Sequence, residues 1–208
     1  MESGTITPST PRQDEILDHA LALVREGGLA ALTTRRLAAR IGFSEAALYR
    51  HFPSKQALVL GLMDRLEAML LGPVRRIAGR EELSIAARLQ EIVAHHTAIV
   101  RKHRSLPILL LAEASVSEDP VLLDRMTAIF RSYLSLVEAL LREGQARGEV
   151  VRDLEPDCLA LFLVGPPAAL AIRHRLLPDE DAEQRFSEVL VPFLVATILP
   201  DAPGGRSS

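Results

Sequence analysis

Apolar residues recur three and four positions apart along nearly the whole chain, and no segment alternates apolar and polar residues long enough to make a half-buried strand. Ile16, Ala20, Leu23 and Val24 fall on one face of a first helix predicted from about Pro11 to Gly27. Proline suits its first turn and Gly27-Gly28 ends it. Thr33 or Thr34 can cap a second helix through Ile41, Gly42 supplies a turn, and Ser44 caps a third helix ending near His51. Phe52-Pro53 interrupts the pattern before Ser54 caps a long fourth helix running towards Gly72-Pro73. Farther on, Ile85, Leu89, Ile92, Val93, His96 and Val100 share one face of Ser84–His103, and Leu106–Ala114 is a short apolar segment. Asp119-Pro120 starts an amphipathic run to about Arg142, Glu155-Pro156 opens a helix towards Leu177, and a last helix spans about Asp181 to Leu199. The pattern predicts an all-α chain of about nine helices. Residues 1–10 are expected to form a flexible arm, 11–55 a compact three-helix unit, 56–200 a larger helical domain and 201–208 a disordered polar tail.

Composition narrows the class. With 48% hydrophobic residues in 208, the chain can bury a substantial core and is not disordered. The longest apolar runs, such as Leu159–Ala171, are too short and interrupted to span a bilayer, and residues 1–11 lack the pattern of a signal peptide. One cysteine, Cys158, excludes an intrachain disulfide framework and fits a reducing cytoplasm; its apolar neighbours predict a buried thiol. The net charge of −3 is unevenly spread: from Ala31 to Lys55, Arg35, Arg36, Arg40, Arg50 and Lys55 face Glu45 alone. That local excess suits a phosphate-binding surface.

The same stretch supplies the candidate chemistry. Leu37, Ala38, Ile41, Phe43, Leu48 and Phe52 are a compact apolar set that would hold the second and third helices as a helix-turn-helix. The third helix is too short to be stable alone and must be held rigidly to enter a major groove. Ala46 and Ala47 keep its front low, so that the backbone can approach base edges and thymine methyls. Thr34 and Ser44 lie at helix N-termini, where hydroxyls and free N–H groups bind phosphate. Tyr49, His51 and Lys55 suit phosphates along one flank, and Arg35 suits a guanine edge or a phosphate. Glu45 either accepts from cytosine N4 or pairs with an arginine.

The run TTRRLAARIGFSEAALYRHFPSKQALV, with Leu48, Tyr49, Arg50, His51, Phe52, Pro53, Ser54 and Lys55 as its most specific part, resembles the TetR family of one-component transcriptional repressors. The resemblance covers roughly residues 12–65. It implies phosphate contacts at Thr34, Tyr49, His51 and Lys55, and positions facing bases or their surroundings at Arg35, Ser44, Glu45 and Ala46. Beyond it, only helix number and length agree with the family.

A lone helix-turn-helix binds weakly, and specific sites usually need two about one DNA turn apart, so a homodimer on a palindromic operator is expected. Leu159, Phe162, Leu163 and Pro166 of the penultimate helix, with Val189 and Phe193 of the last, are the candidate dimer surface, and Gly165-Pro166-Pro167 predicts a kink. An intersubunit four-helix bundle is also what the resemblance implies. Met69, His96, Val100, Leu109, Leu110, Phe130 and Tyr133 are candidate lining for a small-molecule inducer. With aromatics at 4% and no Trp, a largely apolar ligand with one or two polar groups fits better than a flat cation. Adjacent His95 and His96 point about 100° apart on a helix, so with His103 they make no metal site. No cofactor and no membrane are called for, and no phosphate loop, nucleophile elbow or HExxH motif suggests an enzyme. The leading expectation is a cytoplasmic, ligand-released dimeric repressor of double-stranded DNA. The alternative is a DNA-binding adaptor whose large domain recruits a protein.

Overall fold

The structure is a computed structural model that describes residues 10–103, 106–177 and 179–200. The expected tail, and the expected arm apart from Thr10, lie outside them. The described chain is all helical: α1 (Pro11–Gly27), a 3-10 turn (Leu29–Ala31), α2 (Thr34–Ile41), α3 (Glu45–Tyr49), α4 (Lys55–Ala78), α5 (Ile85–Lys102), α6 (Leu106–Val116), α7 (Pro120–Arg147) and α8 (Pro156–Leu176). Glu180–Arg185, a π-helical turn Phe186–Leu190 and Val191–Ala196 then follow without a break and together make the ninth helix, α9.

The boundaries follow local chemistry. Thr10 and Gln13 close a reciprocal capping box at the start of α1. Thr33, not Thr34, caps α2, its hydroxyl accepting from the Arg36 N–H at 3.2 Å. Ser54 and Ser84 cap α4 and α5 in the same way, and Asp119 accepts from the Val121 N–H at the start of α7. Two helices run well past the ends the pattern predicts. α4 continues through Pro73 to Ala78; burial of Leu70, Leu71 and Val74 outweighs the lost hydrogen bond. α7 continues through Gly144 to Arg147 and stops at Gly148, whose φ of 73° is left-handed. Position 144 has room only for glycine, because a Cβ there would lie 2.5 Å from Val150 Cγ2 and 2.9 Å from Ile85 Cγ2. α8 is continuous through Pro166-Pro167.

Packing divides the chain into two units, the described residues of Met1–Ala68 with Leu106–Ala128, and of Met69–Ser105 with Ile129–Ser208. This differs from the linear division after residue 55, which followed chain order. In the first unit, Ile16, Ala20, Leu37, Leu48, Leu58 and Leu62 are almost completely buried. Arg65 of α4 reaches Asp14 and Asp18 of α1, and Arg125 of α7 reaches Asp64, at 2.7 Å, and Glu67 of α4.

In the second unit, α5 packs against α8 and against the last turns of α9. Arg88, 1% exposed, donates to the Ala78 carbonyl and to Glu143, each at 2.9 Å. The Glu149 carboxylate accepts from the Ile85 N–H at 3.0 Å, closing the start of α5.

α8, at 21 residues with a best-window mean hydropathy of 1.3, is long and apolar enough to cross a membrane, contrary to the reading of its sequence. Leu159, Ala160, Leu163 and Val164 are buried, so one face of α8 packs inside the protein. Cys158 corrects a second expectation. It is exposed in the first turn of α8, where the negative charge of Asp157, then burial, pushes its thiol pKa up.

Candidate nucleic-acid interface

Gly42, left-handed at φ 77°, lets the chain turn between α2 and α3. The Phe43 N–H then returns to the Ala38 carbonyl at 2.8 Å, a wrapped helix end for which glycine is the favoured residue. Ser44 caps α3, accepting from the Ala47 N–H at 3.1 Å. Leu48 is 1% exposed and anchors α3 in the unit's core, while Glu45, Ala46, Tyr49 and Arg50 stay exposed. One face of this short helix is therefore fixed and the other is free to meet a partner. Ile41 and Phe43, expected in the core, are only half-buried.

The Phe43 ring instead organises the end of the site. The Arg12 guanidinium lies 4.2 Å over its centroid, and the His51 ring stacks on it at 6.3 Å with a 23° interplanar angle. Gln13 Nε2 donates to the His51 carbonyl at 3.2 Å. α1 thus braces the exit of α3 through the Arg12 guanidinium and the Gln13 amide. The motif does not point to Arg12 or Gln13, although Thr10-x-x-Gln13 is a capping-box spacing that marks Gln13.

Charges around α3 are partly used. Arg40 pairs with Glu26 at 2.7 Å, and that hydrogen bond holds the Glu26 carboxyl below its ordinary range. Lys55 pairs with Glu113 of α6 at 2.8 Å, and beside it Gln56 donates to Asp119 at 2.6 Å. Arg35, Arg36 and Arg50 are exposed and take no ion pair among the described residues. Thr34 Oγ1 donates to Glu45 Oε2 at 3.0 Å, so a candidate phosphate ligand and a candidate base reader are bonded to each other. The eight candidate DNA-contacting residues all lie on α2, on α3 and the turns that flank it, and at the first residue of α4.

The other candidates are more dispersed. Met69, His96, Val100, Phe130 and Tyr133 belong to the second unit, Leu109 and Leu110 to the first. His96 and Tyr133 meet edge to face with centroids 5.2 Å apart. Both are almost fully buried, as is Val100, and Leu110 is fully so. Met69 and Leu109 are half-buried, and Phe130 is exposed. Burial, and then the charge of His95, lowers the His96 pKa from 6.5 to about 4, while burial raises that of Tyr133. The neighbouring His95 Nε2 satisfies the Met69 carbonyl at 3.0 Å. On α8 and α9, Leu159 and Leu163 are buried and Pro166 is half-buried, whereas Phe162, Val189 and Phe193 are 44%, 63% and 61% exposed.

Comparison with known proteins agrees with this arrangement. Residues 16–62 match the model of bacterial regulatory proteins of the tetR family, and residues 86–190 that of the tetracyclin repressor-like C-terminal domain. The nucleoid occlusion factor SlmA of Aliivibrio fischeri is 35% identical over 162 residues, covering 76% of this chain and 82% of that protein. The MbdR regulator of Azoarcus sp. CIB superposes with a TM-score of 0.75 at 26% identity, covering 90% of this chain and 98% of that one. A SmeT–triclosan complex has the same fold, with a TM-score of 0.76 at 21% identity over 96% of this chain and 98% of that one.

Proposed function

Since the chain belongs to the TetR family of bacterial DNA-binding regulators, we propose that it acts in the cytoplasm as a homodimeric repressor, held on a palindromic operator until a small-molecule ligand releases it. The observation that carries this reading is the exposed face of α3, with Glu45, Ala46, Tyr49 and Arg50 outward over a buried Leu48. Unpaired Arg35, Arg36 and Arg50 supply the phosphate and base contacts on either side. Exposed Phe162, Val189 and Phe193 on α8 and α9 give a second copy an apolar surface to cover. In such a dimer the ligand favours a spacing of the two α3 helices that no longer matches successive major grooves.

The ligand is largely apolar, with a neutral polar group for the His96–Tyr133 ring pair inside the second unit. His96 is uncharged at neutral pH and its Nδ1 has no hydrogen-bond partner among the described residues, and Tyr133 lies against it. The fold is also that of the SmeT–triclosan complex.

A specific observation favours a second reading, in which the chain is a DNA-bound adaptor that recruits a protein. Its relatives include nucleoid occlusion factors, and Leu111, Val116, Val121 and Leu123 on α6 and the start of α7 are exposed apolar residues apart from α8 and α9.

Selection of genomic fragments by the purified chain at about physiological salt tests the common part of both readings. Enrichment of a short inverted repeat is expected, and no enrichment by a ligand-free, folded dimer would overturn both. Release of that repeat by a compound encoded or processed nearby supports the repressor. Binding unmoved by any such compound supports the adaptor.

A further inference from the structure

The sequence leaves Glu45 with two roles, pairing with an arginine or accepting from a base. The structure separates them. Among the described residues Glu45 takes no ion pair, although Arg35, Arg36 and Arg50 of the neighbouring turns are unpaired as well. Its carboxylate accepts instead from the Thr34 hydroxyl at 3.0 Å. Thr34 is free for this because Thr33, one residue earlier, caps α2. An exposed carboxylate on the first turn of α3 approaches a polyanion at a cost unless a base rewards it. In the major groove, guanine offers O6 and N7 and thymine offers O4, all acceptors that repel it. Adenine places its N7 acceptor beside its N6 donor, whereas cytosine N4 is a donor without that neighbour.

We propose that Glu45 is a specificity-determining residue that selects cytosine at one position of each half-site, and that Thr34 is the positioning residue that aims it. The proposal rests on the reading of α3 as the groove-entering helix. Thr34 then acts through Glu45 and not on a phosphate. The single hydroxyl bond occupies Oε2 and leaves Oε1 free for the base. Discrimination comes as much from repulsion of guanine and thymine as from attraction to cytosine.

The test is selection from a randomised duplex library with the full chain, comparing wild type with Glu45→Gln, Glu45→Ala, Thr34→Val and Thr34→Ser. Wild type is expected to enrich cytosine at one position per half-site by roughly tenfold over guanine. Glu45→Gln should move that one position towards adenine, whose N6 and N7 suit an amide. Thr34→Val should weaken the same position alone, with total affinity on the best site lowered only a few-fold and the salt dependence unchanged, and Thr34→Ser should restore the preference. The proposal is overturned if the Glu45 variants keep every preference, or if they bind all sequences equally more tightly, which marks simple phosphate repulsion. Equal loss on all sequences with a shallower salt dependence in Thr34→Val returns Thr34 to phosphate binding and removes its positioning role. A wild-type chain that enriches no sequence would instead sink the DNA-reading assignment itself.

Discussion

Lys55 Nζ at the first turn of α4 lies 2.8 Å from Glu113 Oε1 of α6, so the lysine expected to hold a DNA phosphate is already paired with a carboxylate of its own chain. The lysine side chain is 52% exposed, and such a pair contributes only about 0–1 kcal/mol. A phosphate can therefore displace it, at the cost of bringing a second anion near Glu113. Glu113→Gln is expected to raise DNA affinity by roughly two- to five-fold at low salt. Lys55→Ala should weaken binding on all sequences and make the salt dependence shallower by about 0.9 in log–log slope, the share of a single phosphate. In the double variant the gain from Glu113→Gln should vanish. Fluorescence titrations at several salt concentrations check this. A gain that survives without Lys55 would mean that Glu113 acts only as a general negative charge.

A similar separation applies to the dimer surface. Phe193 is 61% exposed and Leu163 is 2% exposed, although the sequence pattern places both at the interface. Phe193→Glu should therefore dissociate the dimer while each chain keeps its helical content, and lower operator affinity by at least about tenfold. Leu163→Ala should instead lower stability, by about 2–5 kcal/mol. Sedimentation and circular dichroism distinguish the two. A Phe193→Glu chain that remains dimeric would place the interface elsewhere.

Arg88 and Glu143 form an asymmetric pair. The arginine side chain is 1% exposed, the carboxylate is 35% exposed, and the carboxylate also holds Arg147 at 2.7 Å. Removing the acid strands a buried guanidinium, at about 3–5 kcal/mol. Removing the base leaves an acid that still has a partner, and the losses are the Arg88 hydrogen bonds to the Ala78 carbonyl and to Glu143, about 1–3 kcal/mol. Glu143→Leu should thus destabilise more than Arg88→Met. Urea unfolding at a fixed protein concentration measures the order, and the reverse order would mean that Arg88 acts mainly through packing.

His96 makes stability depend on pH. Burial lowers its folded pKa from 6.5 to about 4, so the unfolded chain takes up the proton first. This contribution is fully present above pH 6.5, declines as the pH falls towards about 4, and levels off below that. The loss across that window is on the order of 3 kcal/mol. His96→Phe should remove the slope in this window relative to wild type, read from denaturant midpoints at several pH values. An unchanged slope would assign the titration to another group.

The alphabet of this fold is legible in the residue order because helices are local. Three-four spacing, Ser44 and Ser54 as caps, and Gly42 as a turn depend on neighbours a few residues away. The helix-turn-helix is legible for the same reason, since Leu37, Leu48 and Phe52 pack within a short stretch. Where tertiary packing overrides local signals, the pattern fails. Pro73 and Gly144 read as stops, yet burial beside them keeps α4 and α7 helical. Cys158 reads as core, yet the rotation of α8 turns it to solvent.

The helical class, the helix-turn-helix and the surplus of positive charge beside it thus follow from residue order alone. Which of those charges are free does not: Arg40 answers Glu26 across 14 positions and Lys55 answers Glu113 across 58, pairings that exist only in the packed chain. Packing likewise sets Glu45 against Thr34 and no arginine, and leaves one side of α8 and α9 uncovered. Periodicity fixes a side chain's direction relative to its own helix axis. What stands opposite is set by how the helices pack, and that depends on residues far apart in the chain.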